Sequence, residues 1–183
     1  VTIGLETGIG TPVIEGNVFG AGKGKETHGY SALVRGNTYV TIQGNAKVGL
    51  SVYGGGEIAS VGRYKVADAA YNAEHPEVEV GMPYSTDEGG VCTVVVQGNA
   101  EIGPDDMKMV TDTGWPTDRG HVFGAGKGVL PYEGVGPEGP KRMIPDGTWE
   151  SYVGKDAEYL KYIETLALTT TTDVTISGNA FVK

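Results

Sequence analysis

β-Branched aliphatic residues recur at every second position in three short segments of this chain. Val40 and Ile42 lie on either side of Thr41, and the triplets 94–96 and 174–176 repeat the spacing. A period of two places alternate side chains on the same face of a β-strand. Each triplet therefore predicts a short strand with one buried face.

A Gly-Asn pair follows each triplet after one intervening residue, at 44–45, 98–99 and 178–179. Glycine and asparagine both tolerate the left-handed backbone conformation used in turns. Alternating hydrophobic residues then resume, as at Ala46 and Val48. Hairpins favour the opposite order, Asn-Gly. We therefore interpret the pair as a corner between two successive strands.

A second motif recurs downstream of the triplets. It reads VFGAGKG at 18–24 and 122–128, and VYGGGEI at 52–58. The triplets, including VTI at 1–3, and these glycine-rich motifs form the two arms of a repeating unit. The arms are constant and the spacers between them vary in length. Such a pattern is typical of stacked repeats that carry insertions.

Stacking of like arms would bring equivalent side chains to about 4.8 Å from one another. The expected rows contain asparagines at the corner, aromatic rings, and charges of alternating sign. They comprise Asn45, Asn99 and Asn179; Phe19, Tyr53 and Phe123; and Lys23, Glu57 and Lys127. Opposite charges on adjacent strands favour pairing. For the aromatic row we expect packing in the core or under loops, with an outward row that stacks on sugar rings as the alternative.

The predicted fold is all-β: a right-handed parallel β-helix (solenoid) of about three irregular coils, forming one segment over 1–183. Long loop insertions are expected at about 63–90, 104–118 and 129–172. Within the last, Lys155–Leu168 predicts one short helix with an apolar face. Packing against the solenoid and docking of a partner are both open roles for this helix.

The VYGGG and V-T-I-x-G-N-A strings resemble the glycine-rich β-helix repeats of bacterial cell-surface proteins, of the Bacteroidetes adhesin type and autotransporter-like. The resemblance covers the arms and leaves out the insertions. It implies an extracellular or cell-surface location. Members of this wider class include adhesins, structural fibres and polysaccharide-cleaving enzymes.

Composition narrows the range of partners. The 183 residues include 31 glycines and carry a net charge of −9. An acidic chain lacks the basic face that nucleic acids require. No apolar run is long enough to span a membrane, and the lone Cys92 has no partner for an internal disulfide. Because the chain begins and ends inside repeats, we expect it to be a segment of a longer polypeptide.

The GAGKG string differs from a phosphate-binding loop, which needs four residues between Gly and Gly-Lys and then Ser or Thr. Its repetition favours a structural role, and we expect no cofactor. A calcium site is the weaker alternative, because clustered oxygen ligands suit hard cations. Its candidate ligands are Asp105, Asp106 and Asp112. Exposed aromatic residues of the insertions are candidates for ligand contact: Trp115, Tyr132, Trp149 and Tyr152.

These observations predict an extracellular structural or adhesive segment without catalysis, whose insertions form the contact surface. Its expected partners are neighbouring coils of the same chain or further copies, with glycans or surface proteins of host or bacterium as ligands. One alternative is a polysaccharide lyase or glycoside hydrolase, which would use the carboxylates Glu15, Glu57 and Glu101 with Arg35. Another is a segment of a phage tail-spike.

Overall fold

The described part of the chain is mostly β. The structure is a computed structural model, and it describes residues 1–24, 32–80, 83–86, 89–105, 119–128, 135–136, 139–143, 149–151 and 167–183. Within these ranges one helix occurs, α1 (Ala69–Glu74), and it is too short to cross a membrane.

The strands are mostly short, of two to six residues. Their bounds are β1 Thr2–Ile3, β2 Val13–Ile14, β3 Val18–Phe19, β4 Thr38–Ile42, β5 Lys47–Val48, β6 Val52–Tyr53, β7 Tyr64–Val66, β8 Pro83–Ser85, β9 Val91–Val96, β10 Glu101–Ile102, β11 Val122–Phe123, β12 Val135–Gly136, β13 Gly139–Met143, β14 Trp149–Ser151, β15 Thr171–Ile176 and β16 Phe181–Val182.

Three parallel sheets contain the repeating arms. The first sheet has the order β1-β4-β9-β15, the second β2-β5-β10-β16, and the third β3-β6-β11. Strands that follow one another along the chain, such as β4, β5 and β6, belong to three different sheets. Each sheet therefore pairs the same arm of successive units. The three sheets stay separate and are not closed into one by hydrogen bonds.

The register of these sheets matches the repeats in the sequence. Val40 pairs with Val94, and Val94 pairs with Val174, so equivalent triplet residues lie side by side. In the third sheet Tyr53 pairs with both Phe19 and Phe123. The insertions thus change the chain length between arms without shifting their register.

The core lies between the three sheets and contains one face of each. In β9 buried residues alternate with half-buried ones, as the period of two predicts. The fully or almost fully buried members are Val18, Val40, Ile42, Ala46, Val48, Val52, Val94, Val96, Ala100 and Ile102. Burial of each large aliphatic side chain contributes about 1.5–3 kcal/mol.

The corner between the first and second sheets has a left-handed residue at the predicted position. Gly44, Gly98 and Gly178 have φ of 64°, 72° and 69°. The chain turns there without reversing, because β4 and β5 are both parallel to their neighbours in the stack. A residue with a side chain would be strained at this φ, which explains why glycine recurs.

The glycine-rich motif reflects close approach of one backbone to the next. A Cβ atom on Gly20 would lie 2.0 Å from the carbonyl oxygen of Gly54, and one on Gly54 would lie 2.2 Å from that of Gly124. The same Gly54 oxygen accepts a 2.6 Å hydrogen bond from the buried Thr38 hydroxyl. These contacts leave no room for a side chain, which accounts for the repeated motif without any phosphate ligand.

The insertion at 63–90 has secondary structure that the sequence analysis did not predict. Strands β7 and β8 form an antiparallel pair, with α1 between them in the chain. Asp68 caps α1 by accepting a 2.8 Å hydrogen bond from the Tyr71 amide. The helix found within the described residues thus lies in the first long insertion.

The predicted helix at Lys155–Leu168 falls mostly outside the described residues. Its last two residues, Ala167 and Leu168, are described and are not helical. The Leu168 carbonyl accepts a 2.9 Å hydrogen bond from the Val61 amide. The surrounding region, predicted as a loop over 129–172, contains the antiparallel strands β12, β13 and β14. Its last two residues, 171 and 172, belong to β15.

Candidate functional site

The structure brings the three corner asparagines together in a hydrogen-bonded row. The Asn99 side-chain amide donates to Oδ1 of Asn45 at 3.0 Å, and that of Asn179 donates to Oδ1 of Asn99 at 3.2 Å. Asn45 in turn donates to the Gly8 carbonyl at 2.5 Å. Every bond points in the same direction along the stack, so each further coil extends the row.

A glutamine row runs beside it and was not predicted. The Gln97 side-chain amide donates to Oε1 of Gln43 at 3.0 Å, and Gln43 donates to the Gly4 carbonyl at 3.2 Å. The signal was present in the sequence, because both residues occupy the position before the Gly-Asn pair.

The aromatic row is stacked along the same direction. Ring centroids are 4.8 Å apart for Phe19 and Tyr53 and 5.0 Å apart for Tyr53 and Phe123, with nearly parallel planes. The neighbouring valines, Val18 and Val52, belong to the core cluster, so the aromatic side chains lie on the other face of the strands. Tyr53 is nevertheless buried, whereas Phe123 at the end of the row is 41% exposed.

The row of alternating charge is also assembled. Lys23, Glu57 and Lys127 lie opposite one another through backbone bridges between parallel segments. The Lys23 ammonium is 3.1 Å from the Glu57 carboxylate, with the lysine largely exposed. An exposed pair of this kind stabilises the stack by less than about 1 kcal/mol.

A second row of charges occurs on the second sheet and was not predicted. Glu101 lies between Lys47 at 3.1 Å and Lys183 at 3.2 Å, and Lys183 also contacts Asp105. Hydrogen bonds from Lys47 and then Lys183 lower the pKa of Glu101, and the bond from Lys183 lowers the pKa of Asp105. Both carboxyl groups are therefore ionised at neutral pH.

The metal candidates are not assembled into a site in the part that the structure describes. Asp105 is engaged with Lys183, whereas Asp106 and Asp112 lie outside the described residues. Within the described ranges, no group of three or more His, Cys, Asp or Glu side chains could hold a metal ion.

The aromatic candidates for ligand contact are largely outside the described residues. Trp115, Tyr132 and Tyr152 are not described, and Trp149 begins β14, opposite Met143. A different aromatic cluster occurs in the insertion at 63–90. Tyr71 stacks on Tyr84 with centroids 3.8 Å apart and on His75 at 4.3 Å. We call these three residues the insertion cluster.

One acidic residue lies beside the insertion cluster. His75 Nδ1 is 3.5 Å from a carboxylate oxygen of Glu77, and both side chains are well exposed. The insertion is fixed to the stack by Tyr64, whose hydroxyl donates to the Val61 carbonyl at 2.9 Å and contacts the Thr170 hydroxyl at 3.3 Å. Burial raises the pKa of Tyr64, so this hydroxyl remains protonated and available as a donor at neutral pH.

The single cysteine lies in the core. Cys92 pairs with Thr38 on one side and with Thr172 on the other. The residue is fully buried, and burial raises the pKa of its thiol. A protonated, inaccessible thiol is a poor nucleophile, so Cys92 acts as a small core residue.

Comparisons with models of protein families, with curated protein sequences and with solved structures find no match for this chain. The candidate surfaces therefore rest on the geometry alone. They are the stacked rows of the arms and the insertion cluster.

Proposed function

We propose that this chain is a right-handed parallel β-solenoid segment that serves as an extracellular structural or adhesive element of a bacterium. The observation that carries this proposal is the shared register of all three parallel sheets. In each of them, equivalent residues of successive units lie side by side. The surface location comes from the resemblance of the arms to cell-surface repeats.

Rows of this kind suit a stiff, load-bearing element. Backbone hydrogen bonds, asparagine amides and stacked rings all run along the direction in which the units repeat. Within the described residues, the strands of the three parallel sheets pair only with strands of the adjacent units. Stability in such a stack is approximately a sum of the units and their nearest-neighbour contacts.

The proposed contact surface is the insertion at 63–90. The insertion cluster offers aromatic faces and edges beside acidic and imidazole groups, a combination that suits recognition of sugars or polar peptides. Val80, at 42% exposed, adds apolar surface on the same insertion.

A catalytic role has less support among the described residues. Two of the carboxylates proposed for a lyase or hydrolase lie in different rows, Glu57 beside Lys23 and Glu101 between two lysines. With its pKa lowered, Glu101 is a poor general acid. We therefore propose a binding role over an enzymatic one.

The test measures binding and turnover on the same panel of neutral and acidic polysaccharides and of proteins extracted from bacterial surfaces. We expect binding without release of new reducing ends or unsaturated sugars, and a loss of at least tenfold in affinity for the Tyr84→Ala variant. Tyr39→Ala is the matched control, because Tyr39 is an exposed aromatic residue of β4 outside the insertion. Release of cleaved sugar would establish the enzymatic alternative, and equal effects of the two variants would remove the insertion as the contact surface.

A further inference from the structure

The two ends of the stack expose apolar residues, several of which occupy positions that are buried in its middle. At one end, called the upper end, β15 and β16 expose Val174, Ile176 and Phe181 by 40%, 49% and 59%. Val94 and Val96, which occupy the same positions as Val174 and Ile176 one unit earlier, are fully buried. The upper end therefore presents core-type residues to solvent.

The opposite end, called the lower end, presents β1 and β2. Here Val1 and Val13 are 56% and 60% exposed. Lys47 has Val13 as its partner on one side and Glu101 on the other, and Glu101 pairs with Phe181. Val13 and Phe181 are thus the two ends of a single row, and both are apolar while the residues between them are charged.

The same register relates the other residues of the two ends. Ile3 pairs with Ile42, which pairs with Val96 and through it with Ile176. Two residues before Ile3 and Ile176, Val1 and Val174 also occupy equivalent positions. Continuing the stack by one more unit would place Val1 on Val174, Ile3 on Ile176 and Val13 on Phe181, so that these apolar residues of the two ends meet one another.

The backbone hydrogen-bonding groups of the two ends are complementary as well. The Val1 and Ile3 carbonyls accept hydrogen bonds from Thr41 and Gln43 of the next unit, at 2.8 and 3.0 Å. Val174 and Ile176 occupy the equivalent positions in β15, so their carbonyls face the upper end. The amides of Thr2 and Gly4, which are equivalent to Thr41 and Gln43 in the register, are the matching donors.

Charge is complementary as well. Ile14 pairs with Val48, Val48 with Ile102, and Ile102 with Val182, so the following residues, Glu15 and Lys183, occupy one row. Glycines fill the two positions between them. The exposed Glu15 of the lower end would lie next to Lys183 of the upper end. Opposite charges on adjacent strands favour pairing.

We propose that the lower end of a second copy of this chain docks on the upper end of the first, with β1 extending the first sheet and β2 extending the second. This inference rests on the proposed solenoid architecture. A head-to-tail contact of this kind uses two different surfaces and does not close, so it generates linear arrays. A second copy is the chosen occupant because both complementary surfaces are present on this chain.

The third sheet limits the strength of this contact. In the described part of the chain it has three strands, against four in each of the other sheets. Phe123, at its upper edge, is 41% exposed. Because Lys183 is equivalent to Gly49 in the register, a copy of residues 50–58 appended after Lys183 would continue in register and supply the fourth strand, with its glutamate next to Lys127.

The experiment measures molar mass against concentration by sedimentation velocity and light scattering, on the chain with no added tags. We expect the mass to rise with concentration, and the form extended by residues 50–58 to associate at a concentration at least tenfold lower. A monomer in both forms at every concentration would overturn the proposal.

Two substitutions test the geometry without disturbing the fold. Phe181→Lys places a positive charge beside Glu101, and Val13→Glu places a negative charge beside Lys47, so each is compatible with its own chain. Either alone should weaken association at least tenfold. An equimolar mixture should restore it, because the new lysine then meets the new glutamate across the interface.

Association that is insensitive to both substitutions would show that another surface is used and would also overturn the proposal. Circular dichroism of each variant separates this outcome from loss of the fold. Binding to polysaccharides or surface proteins is measured in a separate experiment. A negative result for the head-to-tail contact therefore does not decide the proposed function.

Discussion

Aromatic stacking occurs both in the repeating arms and in the insertion at 63–90, but it arises differently in the two regions. In the arms, Tyr53 stacks on Phe19 and Phe123, which come from separate units of the chain. In the insertion, Tyr71 stacks on His75 within one helical turn and on Tyr84 of the adjacent strand. The first stack is imposed by parallel register, whereas the second is built from local contacts.

This difference has a consequence for stability. The arms share one core, so a change in any unit is transmitted to its neighbours through common hydrogen bonds and packing. The insertion has exposed or half-buried residues over most of its length and is joined to the stack at a few points, such as Tyr64. We therefore expect it to open locally at a lower free energy than the stack.

The largest expected effect comes from truncating a core residue. Ile42→Ala removes a fully buried side chain from the centre of the core, and we expect a loss of about 4 kcal/mol in the free energy of unfolding. Val80→Ala in the insertion is the control, with an expected loss below about 0.5 kcal/mol. Urea unfolding followed by circular dichroism measures both. Similar losses would contradict a core confined to the arms.

The next largest effect is expected at the glycine-rich motif. Gly54→Ala forces a methyl group to within 2.2 Å of the Gly124 carbonyl oxygen and 3.0 Å of a Val94 methyl, so two neighbouring units must move apart. We expect a loss of about 3 kcal/mol. Gly16→Ala is the matched control, because nothing lies within 4 Å of its added Cβ. Equal stabilities of the two variants in urea would show that the units are not in close contact there.

The sequence predicted most of the features that repeat, although the glutamine row was missed. Parallel strands at the triplets, left-handed glycines at the corner and the partners within the three rows all follow from identical residues at identical positions. The partners of Asn99 are an example. Because the same Gly-Asn pair occurs in three units, aligning the units on this pair places Asn99 between Asn45 and Asn179. Periodicity of this kind holds information on long-range contacts that a single unrepeated segment lacks.

The features that do not repeat were missed. Helix α1 is six residues long and lacks an apolar face, so its pattern resembles a loop; its signal was the capping Asp68. The charge row of Glu101 was missed because the residue equivalent to Lys47 and Glu101 in the last unit is the apolar Phe181. The second lysine that contacts Glu101, Lys183, lies two residues further along the chain. Repeating sequence patterns predict which strands pair, but they do not predict which carboxylate a long, flexible lysine side chain will contact.

A moderate effect is expected when the asparagine row is interrupted. Asn99→Ala removes the bonds to both Asn45 and Asn179, whereas Asn179→Ala removes one bond at the end of the row. At about 1 kcal/mol for each bond, the first variant should lose roughly twice as much stability as the second. Equal losses in thermal or urea unfolding would show that the amides act independently of the row.

The smallest expected effect concerns pH and the charge row of the second sheet. The folded-state pKa values of Glu101 and Asp105 are lowered, so these groups bind fewer protons in the folded chain than in the unfolded one over the intervening pH range. Their contribution is therefore complete above the ordinary carboxyl pKa of about 4 and is lost as pH falls below it.

Lys183→Met removes the partner that Glu101 and Asp105 share. We expect this variant to lose stability slightly at pH 7 and to lie closer to the parent chain as the pH falls through the ordinary carboxyl range, because protonation has already removed the attraction in the parent. Glu101→Gln should reduce the same dependence in part, since Asp105 remains. Urea unfolding at a series of pH values measures how the free energy of unfolding changes with pH. An unchanged pH dependence in both variants would mean that the charge row does not contribute to stability. The units would then stabilise one another through the core and the backbone hydrogen bonds alone.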